Sequence, residues 1–116
     1  MTQNKNSTKY YSNAQERKVA KELGGKQVGG SGASQFSLGD VRLNKILVEC
    51  KTSVTEKSSY SVKKEVLEKI EKESRIMHKL FYSLAFNFGP GTDNFYVIDK
   101  ETMKYLCDKI NEDYNN

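Results

Sequence analysis

The chain has 116 residues, enough for one domain with a modest core. Only 36% of residues are apolar and 29% are charged, so the surface is strongly polar; no run approaches the ~18 apolar residues of a membrane span, no signal peptide is recognisable, and two distant cysteines, Cys50 and Cys107, make no disulfide framework. The net charge of +4 is uneven, with ten Lys and Arg against five acids in residues 1–60 and nine against ten in residues 61–116, which points to a polyanion such as nucleic acid or to a merely well-solvated basic protein.

Residues 1–11, MTQNKNSTKYY, are polar and aperiodic and read as a flexible arm preceding a single domain over 12–116. Ser12 with Gln15 reads as a capping box, so a helix is predicted from there to Gly24. Its apolar face holds Val19, Ala20 and Leu23, and Glu16 falls on the same stripe. An acid on an inward face needs a partner or a route to water. Residues 24–39 hold six of the eight glycines. Such a loop brings backbone N–H groups close to a ligand. Its segment GGSGAS has neither the Walker A nor the GxGxxG spacing, so it is no nucleotide cradle.

Gln35 to Arg42 alternates as a strand, with Phe36, Leu38, Asp40 and Arg42 on one face. Leu43 to Lys45 is predicted as a tight turn, and Ile46 to Thr52 as the second strand of a hairpin. On it Ile46, Val48 and Cys50 share one face, and Leu47, Glu49 and Lys51 the other. Antiparallel pairing across that turn carries Asp40 and Glu49 to the same end of the sheet. Residues 53–60 read as a polar loop. Residues 61–78 form the longest predicted helix, with Val62, Val66, Ile70 and Met77 near one face and a solvated face of balanced charge. LFYSLAFNF (80–88) is apolar on both faces, as in a central strand. Gly89–Gly91 break it, Phe95 to Ile98 is a further strand, and Asp99 caps a last helix with a core stripe of Met103, Leu106 and Ile110. The expected class is α/β, a central mixed β-sheet flanked by helices.

Two carboxylates at the buried end of a hairpin repel each other and lose hydration, a cost that a cation between them removes. Hard oxygen ligands without a His or Cys pattern point to Mg²⁺, with Mn²⁺ as a possible substitute. The ligands would be Asp40, Glu49 and the Cys50 backbone carbonyl, with Glu16 as an outer carboxylate. Lys51, on the face of Glu49, would orient water or neutralise charge on phosphorus. Metal, positioned water and charge stabilisation are the components of phosphodiester hydrolysis. The plain alternative is a surface ion pair at a strand end.

The segment GDVRLNKILVECK resembles the PD-(D/E)xK nuclease motif, with Asp40, Glu49 and Lys51 in its signature positions. Together with QERKVAKEL, GGSGAS, the following helix and LFYSLAFNF, the chain over residues 12–98 is similar to archaeal-type Holliday junction resolvases. The resemblance implies a restriction-endonuclease-like core, a homodimer, Mg²⁺ dependence and paired nicks in a four-way junction of branched DNA. It assigns Glu16, Asp40 and Glu49 to the acidic metal site, Lys51 as catalytic lysine, and Ser31 or Ser34 as the loop serine near the scissile backbone, with Gly30 in the same loop. Gly39 stands where the motif has Pro. Arg17, Lys18, Lys26, Arg42 and Lys57 are the cations expected to touch phosphates. Alternatives are a restriction- or repair-type nuclease, or a DNA-binding module without catalysis. A small domain lacking targeting signals fits a cytoplasmic protein of bacterial, archaeal or phage origin.

Other candidates are weaker. His78, the only histidine, is expected at the end of the long helix in a surface or capping role. Cys50 and Cys107 are expected to be core thiols. The aromatic strand is read as core rather than as a base-stacking platform.

Overall fold

The structure, a computed structural model, describes residues 8–28 and 38–114. Its elements run α1 (Thr8–Leu23), β1 (Lys26–Gln27), β2 (Val41–Arg42), β3 (Ile46–Lys51), α2 (Lys64–Ile76), β4 (Phe81–Phe86), β5 (Phe95–Val97) and α3 (Lys100–Tyr114). One five-stranded sheet has the order β1-β2-β3-β4-β5. β3 and β4 are parallel, and the other neighbours are antiparallel. The expected α/β class with a mixed sheet and flanking helices is present. No helix among the described residues is long and apolar enough to cross a membrane.

The hairpin forms, but its first strand is only Val41–Arg42; Leu38–Asp40, expected within that strand, lie before it. Val41 pairs with Val48 and Arg42 with Leu47, and Leu43 N–H closes the turn on the Ile46 carbonyl at 2.9 Å. β3 then needs a partner on its other edge, and β4 supplies it over six residues, Ile46 to Lys51 against Phe81 to Phe86. A parallel neighbour requires a crossover, which α2 provides. The two faces of β3 therefore meet different helices. Val48 and Cys50 face Val19 and Ala20 of α1, with Val41 and Ala85 completing this small core. Glu49, on the opposite face, meets Lys69 of α2. Leu47, Ile70 and Leu84 are also fully buried.

Several boundaries differ from expectation. α1 begins at Thr8, so residues 8–11 are helical rather than part of an arm, and Ser12 lies inside the helix instead of capping it. Gln15 is buried with Val19, while Leu23 is exposed. The inward face thus sits one residue round from the Glu16–Ala20–Leu23 stripe, because a buried polar contact decides the rotation. β1, inside the glycine-rich stretch, was not anticipated; two polar residues have no alternation to read, and pairing with β2 creates the strand. The proposed strand start at 35–37 and the loop residues Gly30, Ser31 and Ser34 lie outside the described residues.

α2 starts at Lys64, later than expected, and has no side-chain cap at Lys63. His78 adopts a left-handed conformation (φ 57°) after it, as part of the helix stop. Asp99 caps α3 as predicted, accepting from the Thr102 N–H at 2.9 Å and the Thr102 hydroxyl at 2.6 Å. The predicted core stripe of α3 is not buried. Met103, Leu106 and Ile110 are exposed, Cys107 is exposed too, and only Thr102 of this helix is buried. Periodicity finds an apolar face, but whether the chain has anything to lay against it is a tertiary matter.

Gly39 explains its own departure from the motif. Its φ is +75°, and its N–H donates to Glu73 Oε1 at 2.9 Å. Proline fixes φ near −65° and has no N–H, so it fails on both counts. A Cβ there would lie 2.6 Å from Leu47 Cγ, a fully buried side chain. Gly39→Ala is expected to destabilise the fold by about 2–3 kcal/mol, read as a lowered urea midpoint at unchanged m-value.

Candidate functional site

The C-terminal end of β3 collects the titratable groups. Asp40 precedes β2, and three bonds hold it there. Its N–H donates to the Val48 carbonyl at 2.9 Å, and its own carbonyl accepts from Val28 N–H at 2.9 Å. Its Oδ2 accepts the Cys50 N–H at 2.8 Å. The carboxylate is thus tied to the backbone one residue past Glu49, leaving Oδ1 for another partner. Burial, the largest effect, raises its pKa above the ordinary carboxylate value, while the Cys50 hydrogen bond and the charges of Lys69 and Lys51 oppose it.

Glu49 is 7% exposed and its pKa is also raised, first by burial and then by the Asp40 charge. Two cations answer it, Lys51 Nζ and Lys69 Nζ, each at 3.6 Å. Lys69 also pairs with Glu73 at 2.9 Å. Burial works against the charge on Lys69, but the Glu73 hydrogen bond and the nearby acids hold its pKa above the usual lysine value. The two lysines remain about half exposed, so each pair contributes little stability. Their effect is to set the charge at the strand end.

Glu16 reaches this group from α1. Its pKa is raised from 4.5 to about 7, by burial first, then by repulsion from Asp40 and, more weakly, Glu49; a hydrogen bond with Gln27 of β1 opposes the shift. The structure therefore brings Glu16, Asp40, Glu49 and Lys51 into one electrostatic neighbourhood. It does not draw them into a closed cage: among the described residues, no three His, Cys, Asp or Glu side chains are grouped so as to hold a metal ion. The Cys50 thiol sits among the same acids on the α1 side. Burial, then the charges of Asp40, Glu16 and Glu49, push its pKa up, which makes it a poor nucleophile.

Three contributors were not legible. Lys69 and Glu73 belong to an i,i+4 ladder that looks wholly solvated in sequence, and nothing local says which rung faces the sheet. Gln15, next to Glu16, is 4% exposed. Its Nε2 lies 2.9 Å from the Lys51 carbonyl, 3.3 Å from the Ala85 carbonyl and 3.2 Å from Asn94 Oδ1, clamping α1 over the ends of β3 and β4. Its Oε1 is buried without a partner among the described residues, a cost of about 1–3 kcal/mol accepted for three acceptors on the other side of the amide.

The basic residues are dispersed. Lys57 lies in the segment after β3, near Lys51. Lys26 and Arg42 are exposed cross-strand partners on β1 and β2, a like-charge pair that is unfavourable until an anion lies against it. Lys18 donates to the Thr92 carbonyl at 3.3 Å, and Arg17 points to solvent.

The donor chemistry suits Mg²⁺, which takes one or two carboxylates and otherwise water or substrate oxygens. Asp40 and Glu49 are the two, and burial raises the pKa of each. The chain matches no protein-family model, no curated protein and no solved structure.

The raised pKa of Glu16 has a definite sign. The folded chain holds its proton more tightly than the unfolded chain, so its stabilising contribution is complete below pH 4.5 and is lost as pH rises through about 7. Asp40 and Glu49 act in the same direction. Glu16→Gln is expected to stabilise the fold at pH 8 by about 1 kcal/mol, a figure reduced for the group's partial exposure, with no gain at pH 4. Urea unfolding of both proteins at the two pH values checks it.

Proposed function

We propose that the chain is a Mg²⁺-dependent endonuclease that acts on branched DNA, resolving four-way junctions by paired phosphodiester nicks. In this reading it has the restriction-endonuclease-like core of the PD-(D/E)xK nucleases and is most similar to the archaeal-type Holliday junction resolvases. One observation carries the reading: Asp40 and Glu49 lie within electrostatic reach of each other at the end of β3, both partly buried, with Lys51 3.6 Å from Glu49. The location supports it as well, since open α/β sheets bind ligands beyond the C-terminal ends of their parallel strands.

Asp40 and Glu49 would hold the Mg²⁺, with the Cys50 carbonyl as a third ligand and Glu16 as the outer carboxylate. The chemistry such an ion would supply there is a lowered pKa for a bound water and withdrawal of charge from the phosphate. The protein's own groups do the rest. Asp40, tied to Cys50 N–H, presents its remaining oxygen in one orientation. Lys51 acts as a cation that orients the attacking water and offsets charge developing on the phosphate oxygens. Glu16, with a pKa of about 7, is poised to take up or release a proton at neutral pH. Lys69 and Glu73 set the position of Glu49.

Symmetric nicks on a two-fold junction call for a two-fold enzyme, so a homodimer belongs to the proposal. The exposed Met103, Leu106 and Ile110 stripe of α3 is an apolar surface that a second copy would cover. Lys100 and Lys104 outnumber Glu101 in its first half, and Asp108, Glu112 and Asp113 outnumber Lys109 in its second, which favours antiparallel pairing of two such helices.

The test is cleavage of a labelled four-way junction and a matched linear duplex, with Mg²⁺ or EDTA, beside Asp40→Asn. Paired nicks on the junction alone, lost in EDTA and reduced at least ~100-fold by the substitution, are expected. Cutting of both DNAs would keep a nuclease and discard junction selectivity. Binding without cutting, unchanged in Asp40→Asn, would leave a DNA-binding module.

A further inference from the structure

The polar stretch after β3 looks in sequence like an ordinary loop, but it is pinned along its length. Asn87, 5% exposed, is the node. Its Oδ1 accepts from Ser53 N–H and Gly89 N–H, both at 3.2 Å. Its Nδ2 donates to the Thr52 hydroxyl at 3.1 Å. Further along, Lys57 N–H donates to the Phe88 carbonyl at 2.8 Å. Gly89 permits this close approach, because a Cβ there would lie 2.9 Å from Glu56 Cα. At the far end the Tyr60 ring stacks on Phe86 with centroids 4.5 Å apart. A segment held at four places along nine residues is a shelf, not a lid.

Over this shelf lies a groove of about 520 Å³. Lys51, Lys57, Thr52, Thr55, Ser59 and Ser61 are among the residues that line it. Among the described residues, none that lines it is acidic. Lys51 also faces Glu49, so the groove opens onto the carboxylate end of β3. Cations and hydroxyl donors suit phosphate oxygens; the one acid of the stretch, Glu56, is exposed and not among the lining residues. Because the shelf is already ordered, binding does not have to order it.

We propose that residues 52–61 form a preorganised phosphodiester track, which binds the sugar-phosphate backbone of one nucleic-acid strand and leads it to Lys51. Lys57 is its outer phosphate contact, and Asn87 is a positioning residue that keeps the hydroxyls in place. The choice of nucleic acid as the polyanion rests on the nuclease reading.

The experiment is fluorescence anisotropy of labelled four-way junction and single strand in EDTA, where cutting does not intervene, as a salt titration. Lys57→Ala is expected to weaken binding about 5-fold and to reduce the slope of log K against log salt by about 0.7–0.9, the loss of one phosphate contact. Lys72→Ala, at an exposed position of α2, is expected to change neither. Asn87→Ala, if its circular dichroism spectrum remains folded, is expected to weaken binding with little change in slope. An unchanged affinity and slope in Lys57→Ala would overturn the track, as would the absence of binding to either DNA. Mg²⁺-dependent cutting with a Lys57-independent slope would leave the nuclease and remove the track. Lys57-dependent binding without cutting in Mg²⁺ would do the reverse.

Discussion

Like charges at the end of β3 are the constraint around which the structure is arranged. Glu16, Asp40 and Glu49 are each partly stripped of water, and Asp40 raises the proton affinity of both Glu16 and Glu49. Left to themselves such groups separate. Here the backbone prevents it: the hairpin register brings Asp40 beside β3, and the Cys50 N–H holds its carboxylate there. The six-residue parallel ladder with β4 keeps β3 itself from yielding.

The compensating positive charge comes from both the strand and the helix above it. Lys51 is part of β3, whereas Lys69 arrives from α2 and is shared with Glu73. Glu73 in turn accepts the Gly39 N–H. A chain of contacts therefore runs from Glu49 through Lys69 and Glu73 back to the residue before Asp40. It couples the position of α2 to the geometry of the carboxylates. On the other face α1 plays a double part, with Val19 in the core, Gln15 clamped to the Lys51 carbonyl and Glu16 toward the acids. The same helix that closes the small core thus also fixes the height of the site above the sheet.

Much of this was legible in particular residues. Alternation along Ile46–Lys51 correctly divided the strand into a Val48/Cys50 face and a Glu49 face, because strand periodicity is a local geometric property. The two-sided apolarity of LFYSLAFNF marked the central strand, and Asp99 marked a helix start. The failures have a common cause. Ser12 has the local signature of a cap, but the helix extends past it. The α3 stripe has the local signature of a core face, but the rest of the chain leaves it exposed. Propensity describes what a segment can do, and packing selects among those options.

For this protein the sequence by itself determined the α/β class, the hairpin, and the pairing of two acids and a lysine at one strand end, since each follows from residue type and spacing within a few positions. Tertiary structure alone decided that Glu16 joins those acids across the face of the sheet, that Lys69, held by Glu73, adds a counter-charge to that of Lys51, and that Asn87 turns the stretch after β3 into a rigid shelf. These depend on contacts between residues more than twenty positions apart along the chain, or on which face of a charged helix meets the sheet, and no local pattern encodes either.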